Sequence, residues 1–212
     1  SVFSYTWDMV LPNYEKILRV GLGGIIKEAQ ARLAAIGKDA SMDAREYLSQ
    51  KRFLEAAIIS LQATIDFAKR YARLAREKAA AEKRPDEKKR LEKLAEICEW
   101  VPENPARTMH EAMQCYFFIH LIVGFIELPS VGCGIRLDKV MYPYYKKDLD
   151  EGRITKAEAL NLVESVWIKF EEMGFIHPPR LFGSAGGGLA WQNVTLGGVD
   201  ADGKDATNDI SY

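Results

Sequence analysis

The stretch Arg136-Leu-Asp-Lys-Val-Met-Tyr-Pro-Tyr-Tyr145 reads as a short strand or turn passing into a helix that runs to Asp150. Pro143 is expected to interrupt that helix, because proline lacks the N–H used in a helix interior. A second extended piece, Gln192-Asn-Val-Thr-Leu-Gly-Gly-Val199, alternates and is β-rich, so a strand is expected there. The turn Asp200-Ala-Asp-Gly203 closes it. Every other periodic stretch is helical, which points to a helix-rich α/β chain with few short strands.

Outward from that stretch the helical signals are strong. Upstream, Pro129 to Gly134 is irregular, and before it Thr108-Met-His-Glu111 forms a capping box that opens a strongly apolar helix to about Gly124. Downstream, Thr155-Lys-Ala-Glu158 is a second capping box. It opens an amphipathic helix to Met173, with Ala159, Leu162, Val163, Val166, Trp167 and Phe170 facing inward. Near the N-terminus, Ile17, Leu18, Leu22, Ile25, Ile26, Ala29 and Leu33 recur at helical spacing from Asn13 to about Ala35. Gly21-Leu-Gly-Gly24 inside that pattern lacks a preceding strand and a correctly placed third glycine, so it reads as a place for close helix packing rather than a dinucleotide fingerprint. Ser41 to about Lys83 reads as one very long helix, or two nearly collinear ones, of roughly 60 Å at 1.5 Å per residue. Its charged, alanine-rich end from Arg73 to Lys83 reads as a solvated helical end. Pro85 breaks the run, Asp86 or Glu87 opens a short helix to Trp100, and Pro102 and Pro105 end it. No repeat and no linker is visible, so residues 1–212 read as a single region.

Composition narrows the function classes. The chain has 29 Lys+Arg against 30 Asp+Glu, a net charge of −1, which supplies no basic field for nucleic acid or an anionic membrane. The longest apolar stretch, Cys115–Leu128, is interrupted by His120, Gly124 and Glu127, and so reads as a buried helix rather than a membrane span. Cys98, Cys115 and Cys133 are far apart and in no C-x-x-C pair, which argues against a disulfide framework or a zinc site and for a cytoplasmic location. His110, His120 and His177 are singletons without metal spacing, so no metal is expected. Gly183–Gly188 can line a pocket, but no Gly-Lys-Ser/Thr follows it, which leaves phosphate binding as a minor alternative. Cys133 has small neighbours, but the sequence places no base beside it, as a nucleophile requires. The N-terminus lacks an initiator Met and a signal-peptide n-region, and both ends read as cut from a longer chain.

Six blocks, in order and at compatible spacing, resemble the glycyl radical enzymes related to pyruvate formate-lyase. They begin at Tyr14-Glu-Lys-Ile-Leu-Arg-Val-Gly-Leu-Gly-Gly-Ile-Ile, Phe53-Leu-Glu-Ala-Ala-Ile-Ile-Ser and Glu111-Ala-Met-Gln-Cys-Tyr-Phe-Phe-Ile-His120. They continue through Arg136-Leu-Asp-Lys-Val-Met-Tyr-Pro-Tyr-Tyr145, Trp167-Ile-Lys-Phe, and Gln192-Asn-Val-Thr-Leu-Gly-Gly with Asp202-Gly-Lys-Asp-Ala-Thr-Asn208. The resemblance implies a predominantly α-helical, N-terminal-to-middle fragment of a ten-stranded α/β barrel: outer helices plus the first barrel strands. It implies an activity in which a cysteine thiyl radical abstracts hydrogen from a small organic substrate, after a separate radical S-adenosylmethionine activase has installed a glycyl radical. It implies no cofactor bound by these residues, and a homodimer as the full-length protein. Neither the Gly-Cys-x-Glu setting of the thiyl nor the Arg-Val-x-Gly setting of the radical glycine occurs in these 212 residues. No catalytic residue is therefore expected here, and residues 1–212 by themselves should be inactive.

Departures from the pattern bear on substrate type. Diol dehydratases of the family carry a His before the first helix and Asn-Gly-His-Ser before the Arg-x-Asp block. This chain has Met9 near the first position, and Glu127-Leu-Pro-Ser-Val-Gly-Cys-Gly-Ile-Arg136, one residue shorter and without His, at the second. Trp191 stands before Gln192-Asn193, where dehydratases often place Tyr. Met9, Cys133, Arg136, Trp191 and Gln192 are the candidate pocket residues. With fewer polar donors, such a pocket favours a more apolar substrate, as in arylacetate decarboxylases or aryl- and alkylsuccinate synthases. A diol dehydratase or formate acetyltransferase is the alternative within the family, and a non-catalytic helical interaction domain the alternative outside it.

Overall fold

The computed structural model describes residues 11–38, 41–127, 134–172 and 194–212. The chain is predominantly helical. The elements in order are α1 (Tyr14–Ile36), α2 (Ala44–Ala81), α3 (Pro85–Trp100), α4 (Met109–Leu121), a π-helical continuation Ile122–Glu127, β1 (Ile135–Arg136), α5 (Leu137–Asp150), α6 (Lys156–Glu172) and β2 (Val194–Thr195). They form two compact units, residues 16–106 and residues 1–15 with 107–212.

In the unit of residues 16–106, α2 is a single helix of 38 residues, about 57 Å long. Ala68, Ala72, Ala75 and Ala79 are buried along one line of it, and α2 packs against α3, where Leu91, Ala95 and Cys98 are buried. The alanine-rich end is thus solvated on its charged face only. Its methyl groups form a narrow seam that lets two helices approach closely, and the Arg76–Glu99 ion pair at 2.8 Å lies at its edge. Pro85 occupies the first position of α3, where its missing N–H costs nothing.

The glycine cluster does more than permit close packing. Gly21 breaks α1 with φ 69° and ψ 165°. The break frees the amides of Leu22 and Gly23 to donate to the carbonyls of Pro102 and Glu103, at 2.8 and 2.9 Å, while Ala106 N donates to Leu18 O at 2.9 Å. The segment 101–106, which includes a cis Val101–Pro102 peptide, is threaded across α1 by these bonds. Trp100 Nε1 donates to Pro105 O at 2.8 Å and ties down its far end.

The second unit is built around α4, α5 and α6. Thr108 caps α4 by accepting from Glu111 N at 3.2 Å, as its sequence predicts. The return half of the box differs: the buried Glu111 carboxylate accepts from Arg107 N at 2.7 Å and from the Arg107 guanidinium. The box at Thr155 is fully reciprocal, with Thr155 N donating to Glu158 at 2.8 Å and Glu158 N to Thr155 Oγ1 at 3.2 Å. Helix α4 passes into wider π turns and continues to Glu127 rather than ending near Gly124.

Three expectations change here. Pro143 lies inside an unbroken α5. Proline in a helix interior costs about 3 kcal/mol, but burial of Leu137, Val140, Met141 and Tyr145 along the helix offsets it at about 1.5–3 kcal/mol for each large apolar side chain. Among the described residues the second strand is Val194–Thr195, ending short of Val199 because the chain turns at Gly197 and Gly198, both at positive φ. Finally, α6 buries Ala159, Val166 and Phe170, whereas Trp167 is 36% exposed and faces an open groove.

Candidate functional site

The two most specific sequence blocks meet in space. Strands β1 and β2 pair in parallel, Ile135 with Val194 and Arg136 with Thr195. From the end of β1, the Arg136 guanidinium donates to Gly197 O at 2.6 Å and to Val199 O at 3.2 Å. Its Nε is buried without a hydrogen-bond partner among the described residues. Arginine suits this position because its planar fork can hold two carbonyls of one loop at once.

Asp138 completes the brace. Its side chain is fully buried, and its carboxylate accepts from Gly197 N at 2.5 Å, Ser211 Oγ at 2.6 Å and Lys139 N at 2.7 Å. Burial pushes the carboxyl up, but the Gly197 amide, the Ser211 hydroxyl, the Lys139 amide and the Arg136 charge together hold it below the usual aspartate range. A carboxylate with three directed donors is stable as an anion even without water.

Farther along, Tyr145 and Lys156 each donate to Asp209 at 3.1 Å, tying α5 and the start of α6 to the segment after β2. Lys156 first, and then Tyr145, hold the Asp209 carboxyl low. The turn at 200–203 is built as expected: Asp200 Oδ1 accepts from Asp202 N and Lys204 N, and Val199 bridges Asp205. Beside this brace lies an open groove of about 600 Å³, lined by Leu137, Tyr145, Lys156, Leu160, Trp167 and Leu196 among others.

Helices α4 and α6 share an aromatic cluster. His120 is fully buried, with ring centroids 4.6 Å from Phe170 and 5.6 Å from Tyr116. Tyr116 in turn meets Tyr14 edge-on at 5.1 Å. Asp148 anchors α4 to α5 by accepting from Met109 N at 2.7 Å while Arg153 pairs with its other oxygen. Among the described residues no group of three or more His, Cys, Asp or Glu is arranged to hold a metal. Cys98 and Cys115 are buried, and burial pushes both thiols up to about 12, which removes them as thiolate nucleophiles at neutral pH.

Of the five candidate pocket residues, Arg136 is in the brace just described. Met9, Cys133, Trp191 and Gln192 lie outside the described residues, as do His177 and Gly183–Gly188. Asp138, Tyr145, Asp209 and Ser211 carry no signal of their own in the sequence. The signal that could have found them is the pairing of the Arg-x-Asp and Asp-Gly-Lys-Asp-Ala-Thr-Asn blocks, since a fixed polar pattern in two distant stretches is expected when each satisfies the other.

Comparison with known proteins agrees with this arrangement. The family described as pyruvate formate lyase-like matches residues 4–212. An isethionate sulfite-lyase from Nitratidesulfovibrio vulgaris is 41% identical over 94% of this chain and 24% of its own length. The glycerol-bound B12-independent glycerol dehydratase from Clostridium butyricum superposes with a TM-score of 0.83 at 35% identity, over 96% of this chain and 25% of that one. The glycyl radical subunit of 4-hydroxyphenylacetate decarboxylase from Clostridioides difficile is 29% identical over 93% of this chain and 22% of its own length. The chain therefore spans about a quarter of the length of the relatives it matches. With the family match running through both braced blocks, the chain belongs to the pyruvate formate-lyase-like glycyl radical enzymes.

Proposed function

We propose that the polypeptide carrying these residues is a glycyl radical lyase that expels sulfite or water from a small hydroxylated substrate. The observation that carries this reading is the difference in similarity over nearly the same span: 41% identity to a sulfite-lyase over 94% of this chain, against 29% to an arylacetate decarboxylase over 93%. The decarboxylase or succinate-synthase type expected from Met9, Cys133 and Trp191 has no comparable support.

In this reading β1 and β2 are the first parallel strands of the α/β barrel, and the Arg136–Asp138 brace fixes the segment after β2 at the pocket wall. The thiyl cysteine and the radical glycine are supplied by the polypeptide outside residues 1–212, and the radical by a separate S-adenosylmethionine-dependent activase. The protein's own task is to exclude oxygen and water and to orient the hydrogen that is abstracted.

The test is product identity. The native polypeptide, activated anaerobically, is incubated in parallel with isethionate, glycerol and 4-hydroxyphenylacetate. Release of sulfite from isethionate, or of a dehydrated aldehyde from glycerol, is expected. Carbon dioxide from 4-hydroxyphenylacetate with no elimination product contradicts the proposal.

A further inference from the structure

We infer that Arg136 is a positioning residue that fixes the backbone of the 197–199 turn, and that it does not itself hold the anionic group of a substrate. An arginine grips a sulfonate or carboxylate with two nitrogens at once, either the Nη1–Nη2 end or the Nε side of its fork. Both are closed here. The end of the fork is committed to the protein's own backbone, Nη2 donating to Gly197 O at 2.6 Å and Nη1 to Val199 O at 3.2 Å. The side is closed because Nε is buried. The charge is also answered within the protein, since Arg136 helps to hold the Asp138 carboxyl low.

What the fork does instead follows from the turn it holds. Gly197 and Gly198 lie at φ 65° and 80°, and two adjacent glycines are the freest stretch of backbone a chain can have. Arg136 and Asp138 remove that freedom from both sides of one residue. Arg136 takes the Gly197 carbonyl and Asp138 takes the Gly197 amide, at 2.5 Å, so Gly197 cannot rotate without breaking a bond. Gly198 leaves room for the fork, because a Cβ there would lie 3.5 Å from Nη2. Its carbonyl accepts from Ala206 N at 2.9 Å, which closes the loop behind the clamp. The inference rests on the proposed elimination, in which this turn belongs to the pocket wall. It assigns the anchoring of a sulfonate to other side chains.

The test compares Arg136→Lys and Arg136→Gln with wild type in the native full-length polypeptide, activated anaerobically and supplied with isethionate or glycerol. Rates are expressed per glycyl radical, counted by electron paramagnetic resonance. Lysine keeps the charge without the planar fork, and glutamine keeps neither. In both variants kcat is expected to fall roughly ten- to hundred-fold, with KM within about three-fold of wild type. The fall is expected with either substrate, because glycerol has no anionic group to lose. Hydrogen exchange at the Gly197 and Ala206 amides should quicken in both variants. A loss confined to isethionate, or a raised KM in Arg136→Gln that Arg136→Lys restores, marks an anion ligand and overturns the inference. Unchanged exchange at the two amides overturns it as well. Should Arg136→Gln fail to fold on thermal melting, Arg136→Lys carries the test, since an anion ligand tolerates lysine and a clamp on two carbonyls does not. Conversion of neither substrate by wild type removes the proposed reaction, while exchange on the same samples decides separately whether Arg136 holds the turn.

Discussion

At the residue scale, Asp138 is the tightest knot in the described structure. Its anion accepts from an amide of a distant segment, a hydroxyl near the C-terminal end and its own neighbour's amide. Asp138→Ala leaves those buried donors unsatisfied at about 1–3 kcal/mol for the group left without a partner. We expect the native polypeptide to lose about 2–4 kcal/mol in urea unfolding. Asp138→Asn should be nearly as damaging, because its NH2 would face either the Gly197 amide and Ser211 hydroxyl or the Lys139 amide. The pH dependence has a definite sign. The folded carboxyl is held below its ordinary value of 3.8, so its stabilisation is present above that value and fades as pH falls toward the folded value. Wild type should therefore lose more stability than Asp138→Asn between about pH 5 and pH 3; parallel slopes in that window would contradict the assignment. The buried thiols give a second check at this scale. Iodoacetamide at about pH 8 should leave Cys98 and Cys115 unmodified in the native protein and alkylate both after unfolding, because only the thiolate reacts and burial holds both thiols at about 12. Labelling of either in the folded protein, detected by mass spectrometry, would show that it is not buried.

At the element scale, the break in α1 is the feature that propensity alone does not locate. Three glycines within four residues read as a packing site, and Gly21 and Gly23 do lie against the backbone of Glu103. What the sequence does not announce is that Gly21 alone takes positive φ, and that the freed amides recruit the 101–106 segment. A Cβ at Gly21 would collide with the Glu103 carbonyl, whereas one at Gly152, also at positive φ, would meet nothing within 4 Å. Gly152→Ala should cost about 1–2 kcal/mol from backbone conformation only. Gly21→Ala should cost at least about 1 kcal/mol more, since a carbonyl must also move. Equal melting temperatures for the two variants would mean that α1 is continuous there. Helix ends were legible because caps are local: Thr108 and Thr155 cap helices as read, and α3 begins at Pro85, one or two residues before the expected start at Asp86 or Glu87. Strand extent and the fate of Pro143 were not legible, because both are decided by tertiary partners: Arg136 and Asp138 for the turn at Gly197, and the buried face of α5 for Pro143.

At the scale of the whole molecule, the surface has the character expected of a piece packed inside something larger. Leu160, Trp167 and Leu196 are exposed in the groove beside the brace, Ile168 and Val199 are exposed elsewhere in the same unit, and Phe53, Ile59 and Leu74 are exposed on α2. Membership of the family was legible from six ordered blocks, and two of them turn out to brace one another. Reaction type was read from Met9, Cys133 and Trp191, and composition at three positions weighs less than identity spread over the whole alignment. The proposed reaction requires the polypeptide containing these residues to store a glycyl radical. Its most direct test is electron paramagnetic resonance of that polypeptide, grown with carbon-13 glycine and incubated anaerobically with a cognate activase, S-adenosylmethionine and a reductant. An organic radical is expected whose hyperfine splitting widens with the carbon-13 label and which disappears on exposure to air. Absence of any protein radical, while a known family member is activated under the same conditions, would contradict it.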